Sequence, residues 1–370
     1  MSEKIPVTVL TGYLGAGKTT LLNRILTEPH GQKFAVIVNE FGEIGIDNEL
    51  IVGADEEIFE MNNGCICCTV RGDLIRIIES LMRRRDKFDA IIVETTGLAD
   101  PAPVAQTFFM DQDVQSKARL DAVVTVADAL WLIDRLKDAP EAKNQIAFAD
   151  VILLNKTDLV TPEQLLEVEA RIRAINPYAK LHKTVKAAIP IAEVLGRNAF
   201  DLDRILEIEP AFLQADDHHH DHDHHDHDHS GPDCDHPSHK HDHAHGHSHD
   251  HSHDHGHSHA PAHRGLKHYH DEHMQSVALE IAGDVDPEKF MPWINDYVQT
   301  EGPSILRSKG ILAFKGEAKR FVFQGVHMVL DGDLQRDWKQ GEKRSSKIVF
   351  IGRDLKRDEI EKGFRACAAQ

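Results

Sequence analysis

"PVTVLTGYLGAGKTTLLNRILTEP", residues 6–29, is the stretch whose reading decides the fold. The apolar run from Val7 to Leu10 stops at Gly12, a glycine-rich turn follows, and Leu21, Leu22, Ile25 and Leu26 then return at the spacing of one helical face. Strand, turn and helix in that order are the setting that the pattern G-x-x-x-x-G-K-[ST] requires, and Gly12 through Thr19 fits it. Glycines let backbone N–H groups turn inward around phosphate oxygens at a helix N-terminus, where the dipole favours anions. Gly12, Gly15, Ala16, Gly17, Lys18, Thr19 and Thr20 are therefore expected at a nucleotide, with Lys18 reaching the β and γ phosphates and Thr19 ligating Mg²⁺. A glycine-rich turn without ligand is the plain competing reading.

Outward from this loop, strand-like runs ("KFAVIVNEF", "DAIIVETTG", "LDAVVTVADA", "DVILLNKTD") alternate with helix-like ones ("DLIRIIESLMRRR", "TPEQLLEVEARIRAIN"). The strands are apolar throughout, as expected when helices cover both faces of a parallel sheet, so a doubly wound α/β domain is predicted. In the last of those helices Thr161 is expected as N-cap, with Pro162 at the first helical position. Residues 216–259 hold twenty histidines and eleven aspartates. So few apolar side chains cannot offset ordering entropy, and a disordered linker is expected. Beyond it, "QSVALEIAG", "PEKFMPWINDYVQTE", "ILAFKG", "KRFVFQGVHMVLDG", "SKIVFIG" and "RDEIEKGFRACA" predict a smaller α+β domain. One face of its antiparallel sheet is expected under helices. The resulting division is 1–210, 211–273 and 274–370.

A net charge of −19 repels phosphate backbones and argues against nucleic acid as partner. No apolar run approaches the roughly 20 residues needed to span a bilayer, so no membrane role is expected. The first residues carry charge and lack a secretory pattern, which points to the cytoplasm. Five cysteines in a reducing compartment suggest metal or redox chemistry rather than a disulfide framework.

"VILLNKTD" addresses the base. A strand should carry Asn155, Lys156 and Asp158 to the carboxyl edge of the sheet, where ligands of such folds bind. The Asp158 carboxylate only accepts hydrogen bonds, and guanine offers an N1–H and an exocyclic amine side by side where adenine does not. Together with the phosphate loop this predicts a P-loop GTPase domain. "DAIIVETTGLADP" ends another strand at Glu94, which is placed to hold the magnesium shell or its water, and Gly97 follows, able to approach the γ phosphate through its N–H. An aspartate is usual where Glu94 stands. Glu40, Glu43 and Asp47 in "NEFGEIGIDNEL" suit a nucleotide-sensing loop, or simply a solvated acidic one. With no arginine finger or catalytic glutamine evident, slow intrinsic hydrolysis is expected.

"NNGCICCTV", residues 62–70, concentrates Cys65, Cys67 and Cys68. An extended strand would turn Cys67 and Cys68 to opposite faces, so a loop is needed to bring all three sulfurs to one ion. Thiolates suit Zn²⁺ best, with Cu⁺ as another soft candidate. Cys234 and Cys367 are poorly placed as a fourth ligand, which leaves an open position for water, Glu43 or a recipient's group. A buried apolar cluster and a C-x-x-C redox pair are the competing readings.

In order, "GYLGAGKTTLLNRIL", "NEFGEIGID", "NNGCICC", "ETTGLADPAPVAQTFF" and "NKTDLV" resemble the CobW-type branch of metal-handling P-loop GTPases, relatives of HypB and UreG. The resemblance implies a GTP-hydrolysing metallochaperone that carries zinc, or in some members cobalt, at Cys65, Cys67 and Cys68 and hands it to a client metalloprotein. It also implies nucleotide-dependent self-association. Some relatives place a second metal-binding glutamate where this chain has Val38. The histidine tract then reads as a collector of Zn²⁺, Ni²⁺ or Co²⁺, or as a soluble spacer. Rival readings are a cobalt chaperone for cobalamin synthesis and a metal buffer in which nucleotide only switches partner binding.

Overall fold

The computed structural model describes residues 4–39, 58–61, 68–84, 87–197, 199, 274–338 and 342–369. Seven strands form the first sheet: β1 (Ile5–Thr11), β2 (Phe34–Asn39), β3 (Ile58–Met61), β4 (Ala90–Glu94), β5 (Ala118–Asp128), β6 (Val151–Asn155) and β7 (Lys180–Lys183). Their order is β3-β2-β4-β1-β5-β6-β7, and all pairings are parallel. Every carboxyl end therefore opens on one edge. From β1 the chain goes first to β2 on one side and later to β5 on the other, so the switch point of the sheet lies at the end of β1.

Helices α1 (Lys18–Thr27), α2 (Cys68–Met82), α3 (Ala102–Met110), α4 (Gln112–Lys117), α5 (Leu132–Asp138), α6 (Pro140–Phe148) and α7 (Pro162–Ile175) cover the sheet. Successive strand residues feed two cores. Val7, Val9, Ile37, Ile91, Val93, Ile152 and Leu154 join the core that includes Leu74, Ile146 and Ile172, whereas Leu10, Val36, Val38, Ile92 and Leu153 pack with Leu21, Leu22 and Ile25 of α1. That double burial explains the uninterrupted apolar runs. At α7, Thr161 Oγ1 accepts the Gln164 N–H (3.3 Å) and Gln164 Oε1 accepts the Thr161 N–H (2.9 Å), a reciprocal cap ahead of Pro162.

The second sheet is antiparallel, in the order β11-β10-β9-β12-β8, from β8 (Met274–Ala282), β9 (Ile305–Ala313), β10 (Lys319–Val326), β11 (Val329–Asp337) and β12 (Ser345–Arg353). Helices α8 (Pro287–Glu301) and α9 (Arg357–Ala366) supply Phe290, Ile294 and Phe364 to a core with Val277, Leu312, Phe323, Ile348 and Phe350. The expectation of one covered face needs extending. Leu306, Ile311, Val322, Val326, Val349 and Ile351 belong to the same core as α3, α6 and α7, so both faces are buried. His327 occupies the two-residue β10–β11 turn with φ 52°, its ring 5.8 Å from Phe148.

One carboxylate fastens the two sheets. Asp150 Oδ2 accepts the Val123 N–H (2.8 Å), and Asp150 Oδ1 meets Arg307 Nη2 (2.5 Å) and Lys309 Nζ (3.5 Å). Arg307 Nη1 also donates to Phe148 O. Arg307 and Asp150 are both nearly sealed from solvent, so removing one partner strands a buried charge. Arg307→Met is expected to lower the unfolding free energy by about 3 kcal/mol, read from urea denaturation of the full chain.

Candidate nucleotide and metal site

The phosphate loop leaves β1 at Gly12, whose φ of 140° suits glycine and where a Cβ would run into the Val126 carbonyl. Lys18, the first residue of α1, folds its ammonium back onto Gly12 O (2.9 Å) and Tyr13 O (3.5 Å). Thr19 is half-buried and Thr20 exposed, both in the first turn of α1. Gly97 touches this loop: a Cβ on it would meet Leu14 N at 2.6 Å, so only glycine allows the turn after β4 to lie so close. Glu94, 5% exposed, ends β4 beside Leu10 of β1 in register. Glu94 and Gly97 are thus brought to the phosphate loop.

Asn155 ends β6 and is 2% exposed. Its Nδ2 donates to Ala16 O (2.9 Å), while Oδ1 accepts the Thr184 hydroxyl (3.2 Å) and the Ala187 N–H (2.8 Å). The residue expected at the base ties the phosphate loop to the turn after β7. Lys156 takes a left-handed backbone (φ 60°) and reaches Asp128 Oδ2 at 2.6 Å. Asp158 is exposed in the short 3-10 turn Thr157–Leu159, free to accept a ligand's donors. A cavity of about 460 Å³ runs from Tyr13, Leu14 and Gly15 past Asp128 and Lys156 to Trp131 and Arg135.

Several residues escaped the sequence reading. Gln145, buried in α6, donates to the carbonyls of Gly97 and Ala99 (3.1 Å each) and braces the turn beside the phosphate loop. Lys186 and Ala187 both have positive φ (51° and 52°) without being glycine, which marks a constrained loop at the same sheet edge. A polar helix residue and a glycine-free turn carry no motif. Asp128 interrupts an apolar run, and that was its only signal.

Cys68 is the first residue of α2, so the thiol motif meets a helix start rather than lying wholly in a loop. Cys65, Cys67, Glu43 and the acidic stretch 40–50 lie outside the described residues, as does the histidine tract. Among the described residues, no group of three or more His, Cys, Asp or Glu is arranged to hold a metal ion. Val38 is buried in β2, paired in register with Glu94 and Glu60.

A phosphate loop at the switch point of a parallel sheet, with Asn155 and Asp158 two strands away, defines the P-loop GTPase fold. A family model described as CobW/HypB/UreG, nucleotide-binding domain, matches residues 6–183, and one described as cobalamin synthesis protein cobW C-terminal domain matches residues 274–368. The chain belongs to the CobW/HypB/UreG family. It is 31% identical over 365 residues to the zinc chaperone YjiA of Escherichia coli K12, covering 97% of this chain and 98% of that one. It is 33% identical over 398 residues to the zinc chaperone CobW of Pseudomonas aeruginosa, covering 99% and 92%. The crystal structure of Zn(II)-bound YjiA GTPase from E. coli matches with a TM-score of 0.70 and 27% identity, covering 100% of both chains.

Asn155→Ala would strand Ala16 O and the Ala187 N–H in the interior. It is expected to cost about 2 kcal/mol of stability in chemical denaturation and to weaken nucleotide binding in the same preparation.

Proposed function

We propose that this protein is a GTP-hydrolysing zinc chaperone. It binds Zn²⁺ as cargo through Cys65, Cys67 and Cys68, with Glu43 or water at the open position, and passes the ion to a client metalloprotein as GTP becomes GDP and phosphate. The observation that carries the reading is full-length similarity to a protein named zinc chaperone, joined to a phosphate loop held against the edge that bears Asp158. In this account Gly12, Gly15, Ala16, Gly17, Lys18, Thr19 and Thr20 cradle the phosphates. Asp158 pairs with guanine, and Lys156, held by Asp128, lies along the nucleoside. Thr19 and Glu94 suit Mg²⁺, a half-buried hydroxyl in the first turn of α1 and a buried carboxylate at the end of β4. Gly97 offers its N–H to the γ phosphate, and loss of that phosphate frees the turn that carries it. Cys68 opens α2, so in this reading a nucleotide-dependent change near it alters which ligands surround the ion.

The same reading assigns residues 1–210 to the GTPase domain, 211–273 to a metal-collecting linker and 274–370 to the C-terminal domain. It places the protein in the cytoplasm, without nucleic acid or membrane, and assembling with itself when nucleotide is bound. No helix among the described residues is long and apolar enough to cross a membrane. The cobalamin description of the C-terminal family model supports a second reading in which the cargo is cobalt.

Steady-state GTP hydrolysis with and without buffered zinc tests both sites together. Replacing Cys65, Cys67 and Cys68 by serine is expected to remove the zinc response and to lower bound zinc by about one ion per chain, while basal hydrolysis persists. An unchanged zinc response sinks the thiol assignment, and retention of cobalt over zinc from buffered mixtures favours the second reading. Deleting 216–259 should reduce metal stoichiometry and spare the GTPase. Asp158→Ala should cut discrimination of GTP over ATP by about tenfold or more in competition binding.

A further inference from the structure

The turn after β4 is held from three sides. At its start the Thr95 N–H donates to Leu10 O and its hydroxyl to Thr11 Oγ1, each at 2.9 Å, one residue before the phosphate loop. Gln145 of α6 then holds the Gly97 and Ala99 carbonyls. Asn144, the preceding residue of α6, gives Nδ2 to Asp100 Oδ2 (2.8 Å), while Asp100 Oδ1 accepts the Ala102 N–H (2.9 Å) at the start of α3. Asn144 Oδ1 in turn accepts from Arg353 Nη2 at 2.5 Å, and Arg353 is the last residue of β12. Arg353 is itself fixed, its N–H on Ser304 O (2.8 Å) and its strand partner Met274 of β8.

We propose that Asn144 and Arg353 are positioning residues, through which the C-terminal sheet holds the turn 95–101 in place beside the nucleotide's terminal phosphate; this rests on the GTPase reading above. The argument is one of donors and acceptors. Guanidinium has no acceptor and a carboxylate no donor, so an amide standing between them is satisfied in a single orientation, oxygen to Arg353 and nitrogen to Asp100. Asn144 is 6% exposed, with little water to take up a lost partner. Without Arg353 the Asn144 oxygen loses its fixed donor and the amide is held at its nitrogen end alone, so the side chain can leave this rotamer and take the donor from Asp100. The β4 turn is released at one of its supports, six residues beyond Glu94 and three beyond Gly97. The sequence distance between Asn144 and Arg353 hid this path, because nothing local pairs them.

The test uses the full chain, with Asn144→Ala, Arg353→Met, Arg353→Lys and Arg344→Met. Arg344 bonds Asp284 and Phe314 O within the C-terminal sheet region and serves as a stability control. Two quantities are read: amide hydrogen exchange of segment 95–101 without nucleotide, and GTP hydrolysis against GTP concentration. Asn144→Ala and Arg353→Met are expected to speed exchange there about fivefold and to lower kcat about fivefold, with KM for GTP within about twofold. Arg353→Lys keeps a donor and should return both toward the parent. Arg344→Met should lower Tm and leave both readings within about twofold of the parent. Parental exchange and kinetics in Asn144→Ala and Arg353→Met overturn the proposal. Faster exchange with unchanged kcat also overturns it, reducing the contact to packing. If the parent hydrolyses no GTP, the GTPase reading falls, and exchange alone then decides whether Arg353 holds the turn.

Discussion

The side chain of Asn155 is the point on which the nucleotide edge depends. An amide has two ends of opposite character, and here both are used inside the protein, one on Ala16 O and the other on Thr184 and Ala187. Such a group, sealed from water, fixes three chain segments at once, because any shift leaves a buried donor or acceptor unpaired. The phosphate loop is thereby held against β6, and β6 carries Lys156 and Asp158 just beyond. The phosphate loop and the segment bearing Lys156 and Asp158 are set at a constant separation by one residue. Gln145 plays a similar part on the other side, where two carbonyls of the β4 turn share its amide nitrogen.

Around this edge the molecule has few independent parts. The C-terminal sheet contributes apolar side chains to the core beneath α3, α6 and α7, and its charged residues Arg307 and Lys309 converge on Asp150. A charge pair at such depth adds little net stability relative to well-packed apolar side chains, but it is costly to break. Its value here is orientation: the guanidinium fork meets a carbonyl and a carboxylate together, so β9 is seated in one register against the end of α6.

The parallel sheet, the phosphate loop and the cap at Thr161 were legible because each is written locally, in residue period or in fixed spacing. The second burial of the C-terminal sheet was not. Within β9, Arg307, Ser308 and Lys309 interrupt the apolar residues as a solvent-facing strand would, yet all three are buried. A polar interface and a wet surface use the same residue types. In the candidate site, Lys18, Gly97 and Asp158 could be singled out from sequence because their motifs state a chemical task. For Asn155 the spacing predicted a place at the edge, and the three-dimensional path adds that its amide bonds Ala16 and Ala187. Gln145 acts through a side-chain N–H on main-chain carbonyls, Thr184 through a hydroxyl and Ala187 through a main-chain N–H, groups that no motif marks.

Strand β6 is only five residues, Val151–Asn155, and it is bolted at both ends. Asp150, just before it, grips the C-terminal sheet, and Asn155, its last residue, grips the phosphate loop. Between those fastenings lie about 16 Å of fully paired backbone, with β5 on one side and β7 on the other. A strand so clamped behaves as a strut. Load applied to the C-terminal sheet arrives at the edge bearing Asn155 and Asp158 along a stiff axis, instead of being lost in side-chain rearrangement on the way.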